Sequence, residues 1–181
     1  GAIEPNIDNL RAIHRAHMFS VPFENLDIHV RRWIVLDEDK LFHKIVNERR
    51  GGFCFEQNGL FYAMLREMGY DVRRIEAHVR GGDGEYGVPM AHMALHVMID
   101  GKRWIADVGF GDSYLEPLEL DNPEPQTVAG RQFKIEHDGT TGYYLYPDEN
   151  GDWQIQYRFF FVPHELADYN DACYYMQTSP K

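Results

Sequence analysis

The sequence predicts an α+β fold: a helical N-terminal part, then an antiparallel β part. Three observations predict it. Apolar residues recur at helical spacing through most of the first eighty residues, the period shifts to two from about residue 71, and the later apolar segments are joined by short turns instead of by helices. That order excludes βαβ winding. With 181 residues, 44% hydrophobic and 14% aromatic, the chain has material for a packed core in one domain or two small ones. The spans expected are a helical part at 1–75, a β part at 76–162, and a linker or short helix beginning at 163–181.

The first helix is expected in NIDNLRAIHRAHMF, where Ile7, Leu10, Ile13, Ala16 and Met18 form a stripe and Asn6 or Asp8 stands at the cap. A second starts at Asp37, carries Leu41, Phe42, Ile45 and Val46 on one face, and ends at Arg49, Arg50, Gly51 and Gly52. Acid first, base last and glycine beyond suit the helix dipole. A third runs from about Cys54 to Met68, with Gly69 as its stop. Strands follow in RRIEAHVR, in AHMALHVMI and in KRWIADVGF. Asp100-Gly101 forms a two-residue hairpin turn between the last two. Further strands are expected in RQFKIEH, TGYYLYP and DWQIQYRFFFV.

Composition narrows the function. Against 18 basic residues stand 29 acidic ones, a formal charge of −11, which disfavours nucleic acid and anionic membrane as partners of the surface as a whole. No apolar run approaches the ~20 residues of a membrane span. Two cysteines, Cys54 and Cys173, make no disulfide framework. The expectation is a soluble, cytoplasmic globular protein.

Cys54 follows two glycines at the start of a helix, where unpaired amides and the dipole favour a thiolate. A nucleophilic cysteine needs a base and a group that orients the base. With a two-residue turn at Asp100-Gly101, Ala94 lies opposite Asp107, and His92 and His96 are both its diagonal neighbours on one sheet face. Spacing alone leaves the choice between these histidines open. Cys173 reads as a structural cysteine. GDGEYG at 82–87 matches G-x-G-x-x-G but leads into a strand, so the nucleotide-binding readings fail on context. His14 and His17 lack the rest of a metal motif and read as packed or solvated histidines, with no metal expected.

Four ordered segments resemble the arylamine N-acetyltransferase family. They are VPFENLD at 21–27, KIVNERRGGFCFEQNGLF at 44–61, HMALHVMIDGKRWIADVGFGD at 92–112 and YYMQTSP at 174–180. The resemblance implies a cysteine-protease-like core and a barrel-like β part. It implies an acyltransferase with a catalytic triad of Cys54, His92 and Asp107, which selects His92 over His96. It implies acetyl-coenzyme A as co-substrate and small arylamines or arylhydrazines as acceptors, with xenobiotic metabolism as the setting. Phe23, Val79 and Phe110 match positions that line the acceptor pocket, and Tyr175 one near coenzyme A. Family members continue past this point into a third segment that closes over the cleft, whereas the present sequence ends at Lys181. Two rival functions share these residues: a papain-like or transglutaminase-like enzyme, and an inactive paralogue that only binds ligands.

Overall fold

The computed structural model describes residues 4–179. Helix α1 (Ile7–Ser20) begins at Asn6, whose side chain accepts the Asn9 amide, and buries Leu10 and His14. A single turn, α2 (Leu26–His29), starts at the end of VPFENLD and was not expected from periodicity. Helix α3 (Glu38–Phe42) is capped by Asp37, which accepts from the Lys40 amide, and continues as a π-helical turn over His43–Asn47. Only Leu41 and Ile45 of its expected apolar face are buried. Phe42 and Val46 instead stand about half exposed in an open cleft of about 440 Å³, bordered by His17, Leu60 and Met64. Phe42 and Val46 each stand one residue on from a core-facing one, about 100° further round the helix. Helix α4 (Cys54–Glu67) ends at Met68, with Gly69 beyond it at φ +86°, the left-handed conformation that stops a helix.

Eight strands follow: β1 (Asp71–Val79), β2 (His92–Ile99), β3 (Lys102–Ala106), β4 (Leu118–Glu119), β5 (Gln126–Val128), β6 (Arg131–His137), β7 (Thr141–Pro147) and β8 (Trp153–His164). They form one antiparallel, barrel-like sheet in the order β4-β3-β2-β1-β8-β7-β6-β5. The hairpin turn is as expected, with Asp100 and Gly101 at φ +51° and +76°. Its register pairs Ile99 with Lys102 and Leu95 with Ala106, so Ala94 would face Asp107. Strand β3 stops at Ala106, earlier than the alternation to Phe110 suggested. The next amides leave the ladder for side chains: Asp107 N donates to His14, Val108 N to Asn58, and Gly109 N to the Asp107 carboxylate. After β8 come a 3₁₀ turn (Leu166–Tyr169) and helix α5 (Asn170–Thr178). Pro180 and Lys181, the end of the third expected span, lie outside the described residues.

The core has three parts. One fills the barrel, with Ile75, Ala94, Ile105, Tyr114, Phe133 and Tyr157. A second lies where the helices cover the sheet and joins Leu10, Phe61 and Leu65 to Leu95, Val97 and Trp104. The third gathers Leu41, Phe53, Cys54, Met93, Tyr169 and Cys173 around the start of α4. Strand β1 crosses residue 75 and packs with the helices as well as with the barrel. The end of α4 that carries Cys54 is seated against the strand that carries His92 and the loop after β3 that carries Asp107.

Candidate active site

Glycines let the backbone segments around Cys54 come together. A Cβ on Gly51 would lie 1.9 Å from the Pro22 carbonyl oxygen, and one on Gly109 would lie 2.8 Å from Cys54 Cα. Only hydrogen fits at either place. The loop after β3 thus rests directly on the first turn of α4. Glu56, in that turn, accepts from the Phe53 amide through Oε2 (3.1 Å) and from Lys44 Nζ through Oε1 (2.7 Å). Lys44 also reaches Asp27 (2.8 Å), and Arg50 bonds Asp27 and Glu24, each at 2.7 Å. This buried network fixes the segments entering α4. Burial drives the Glu56 carboxyl up, although Lys44 opposes it.

Cys54 is 8% exposed, and its Sγ lies 3.8 Å from the Ala91 carbonyl oxygen. His92 opens β2 one residue later. Its Nε2 lies 2.7 Å from Asp107 Oδ2, with both side chains buried. Cys54 lies close enough to this ring to favour its charged form. Burial works against charge on His92, but Asp107 and Cys54 outweigh it and push its pKa up to about 10. For Asp107, burial opposes ionisation. His92, Asn58 and the Gly109 amide more than compensate, and the carboxyl stays below its usual range. Both shifts favour an imidazolium–carboxylate pair.

Asn58, one turn along α4 from Cys54, donates through Nδ2 to Asp107 Oδ1 (2.8 Å) and to the Met93 carbonyl (2.6 Å). It holds helix, β2 and the carboxylate in one arrangement. Sequence reasoning gave Asn58 no role. The signal was its position four residues from Cys54, on the same helix face.

The structure joins Cys54, His92 and Asp107 and leaves His96 out. His96 lies four residues further along β2, its ring 6.0 Å from Phe161 and its Nε2 buried without a hydrogen-bond partner among the described residues. Phe110 packs edge-on to His92 at 5.2 Å. Val79 pairs with Tyr157, whose ring is 5.4 Å from that of His92. Phe23, half exposed, bridges to Gly52 through its backbone. Tyr175 stands half exposed on α5, the helix whose Ala172 and Cys173 share a cluster with Cys54. His17 bonds Gln57 (3.2 Å) and His14 bonds the Asp107 amide, so the two histidines meet separate partners. Among the described residues, no three His, Cys, Asp or Glu side chains are grouped to hold a metal ion, and no helix is long and apolar enough to cross a membrane.

A family model described as N-acetyltransferase matches residues 6–181. The chain belongs to the arylamine N-acetyltransferase family. It is 39% identical over 170 residues to the arylamine N-acetyltransferase of Escherichia coli K12, covering 93% of this chain and 60% of that one. The enzyme of Mycolicibacterium smegmatis is 33% identical over 187 residues, 99% of this chain and 67% of that one. The solved Salmonella typhimurium arylamine N-acetyltransferase superposes with a TM-score of 0.92 at 33% identity, covering 99% of this chain and 65% of the other. The chain thus spans about three fifths of the length of the E. coli relative.

Proposed function

We propose that the chain carries the acetyl-transfer centre of an arylamine N-acetyltransferase, with Cys54 as nucleophile, His92 as acid and base, and Asp107 as the group that orients and charges His92. The observation that carries this is the buried 2.7 Å contact of His92 Nε2 with Asp107 Oδ2, beside the start of the helix that carries Cys54. Family membership supports the substrate class we infer, with acetyl-coenzyme A as donor and small arylamines or arylhydrazines as acceptors.

The reaction is a ping-pong exchange at one sulfur. Cys54, as thiolate beside the imidazolium, attacks the thioester carbonyl. A new S–C bond forms, the bond from acetyl to the coenzyme's sulfur breaks, and His92 gives its proton to the departing thiolate. Neutral His92 then takes a proton from the attacking amine as the C–N bond forms, and Cys54 leaves as thiolate. Asp107 stays ionised throughout and holds the ring with Nδ1 toward sulfur. Phe110 covers the ring edge-on, and Phe23 and Val79 complete an apolar surface suited to a flat acceptor. Tyr175 is assigned to the coenzyme side.

Intact-mass spectrometry tests this. Mixed with p-nitrophenyl acetate or with acetyl-coenzyme A, the protein should gain one acetyl group at Cys54 and lose it when an arylamine is added. The Cys54→Ala variant should gain none. An adduct at Cys54 that an arylamine cannot remove would overturn the transfer step.

A further inference from the structure

Helix α1 carries a buried histidine that this reaction does not use. His14 is fully enclosed, its ring stacked 5.9 Å from Tyr114 and edge-on to Phe61 at 5.7 Å. Nδ1 lies 3.0 Å from the Leu115 carbonyl oxygen, and Nε2 lies 3.2 Å from the Asp107 amide nitrogen. A carbonyl only accepts and an amide only donates. The two contacts together require a neutral ring with its proton on Nδ1. Burial acts in the same sense: it pushes the His14 pKa down to about 4 against the hydrogen bond to Leu115 and the charge of Asp107.

The Asp107 amide needs such a partner. Asp107 follows the last paired residue of β3 and is 0% exposed, and a buried amide without an acceptor is costly. The carboxylate is held from the other directions by His92 at Oδ2 and by Asn58 and the Gly109 amide at Oδ1. His14 completes the set by fixing the backbone from which the carboxylate projects.

We propose that His14 is a positioning residue for the acetyl-transfer centre: by accepting the Asp107 amide proton through Nε2, it aims the carboxylate at His92 and so sustains the ion pair that activates Cys54. This rests on the triad reading above. The alternative is that His14 merely pins α1 to the loop at Leu115, through Nδ1.

The amide side chains separate these roles, because Gln places its amide where Nε2 stands and Asn where Nδ1 stands. His14→Gln keeps an acceptor for the Asp107 amide, while His14→Asn keeps only the contact to Leu115. The full chain would be compared in three forms by urea denaturation and by the rate of iodoacetamide labelling at Cys54 at pH 6. The Gln variant should label within about twofold of the unaltered protein, and the Asn variant about tenfold more slowly, a barrier change of about 1.4 kcal/mol. Equal rates for the two variants would overturn the proposal, since a purely structural contact would change the urea midpoints without separating the rates. If the Asn variant does not fold, ¹⁵N NMR of the unaltered protein decides. His14 should carry its proton on Nδ1 and show a coupling across the hydrogen bond to the Asp107 amide, and a proton on Nε2 would sink the idea. An unaltered chain that labels at Cys54 yet never transfers acetyl would refute the proposed function, while leaving the Gln–Asn comparison intact.

Discussion

Asn58 Nδ2 lies 2.8 Å from Asp107 Oδ1, a hydrogen bond that joins the helix carrying Cys54 to the carboxylate that pairs with His92. The same side chain accepts the Val108 amide at 3.0 Å and donates to Met93, so its amide is fully used in a site without exposure. Removing it takes a partner from buried groups on two segments, β2 and the loop after β3. Asn58→Ala should cost about 1–3 kcal/mol of folding stability for each group left unpaired. It should also slow acetylation of Cys54 by about tenfold or more, equivalent to a barrier change of about 1.4 kcal/mol. Urea denaturation and intact-mass kinetics measure the two effects. A variant that loses stability but acetylates at the normal rate would show that Asn58 serves packing alone.

The two histidines of β2 give a second test. His92→Gln should reduce acetyl transfer by about 100-fold or more, the usual worth of a positioned acid–base group. His96→Gln should leave most of it, because His96 lies against Phe161 and not against Asp107. Rates of acetyl transfer to an arylamine check this, and an inactive His96 variant beside an active His92 variant would reverse the assignment.

How far the site was legible before folding follows from the same strand. The alternation of AHMALHVMI and the Asp100-Gly101 turn fix strand, face and register, and the observed pairing of Leu95 with Ala106 agrees with them. They cannot say which end of the strand meets α4, because that depends on how the helices seat on the barrel. The family resemblance selected His92, and the 2.7 Å contact agrees with it. Other features left no local trace. Strands β4 and β5 are two and three residues long, too short to alternate. Phe42 and Val46 face a cleft bordered by α1 and α4, which depends on how the helices pack and not on the pattern of apolar residues. The contact of His14 with Asp107 spans 93 positions, and no sequence spacing points to it.

The buried histidines set a pH dependence of stability. Burial pushes His14 and His17 down to about 4, so the stability gained by keeping them neutral is present above the unfolded value of about 6.5 and is lost as pH falls toward 4. For His92 the net shift is upward, to about 10, so its contribution is complete below about 6.5 and is lost as pH rises through 10. Urea midpoints should therefore peak between about pH 6 and 7 and fall on both sides. His92→Gln should flatten the alkaline limb, and His17→Gln part of the acid limb. Midpoints that keep rising to pH 9 would contradict the charged state assigned to His92.

The two cysteines should differ in reactivity. Cys173 is 2% exposed in an apolar cluster, and burial pushes its thiol up to about 12. Cys54 has the His92 imidazolium and the start of α4 beside it. At pH 6, iodoacetamide should label Cys54 and leave Cys173 untouched until the protein is unfolded, as peptide mapping would show. Equal labelling in the folded protein would remove the ion pair from the mechanism.

Gly109 offers a test of how closely the parts of the site are fitted. It does not use the left-handed backbone region, so space alone decides what it tolerates. A Cβ there would stand 2.8 Å from Cys54 Cα and 2.9 Å from the Cys54 carbonyl oxygen, both backbone atoms that cannot swing away. Relief requires the loop after β3 to lift from α4, and that loop carries Asp107. Overpacking of this kind costs about 1–3 kcal/mol, which Gly109→Ala should show as a lower urea midpoint. The same movement lengthens the reach from Asp107 to His92, so Cys54 labelling at pH 6 should slow in step with the loss of stability. Gly111→Ala is the control: its position is open but left-handed, at φ +73°, so strain there costs stability without pressing on Cys54. Matched losses of stability in the two variants, with slowed labelling only at Gly109, would identify the contact with α4 as what sets the site's geometry. Slowed labelling in both would assign the effect to the loop's general order instead.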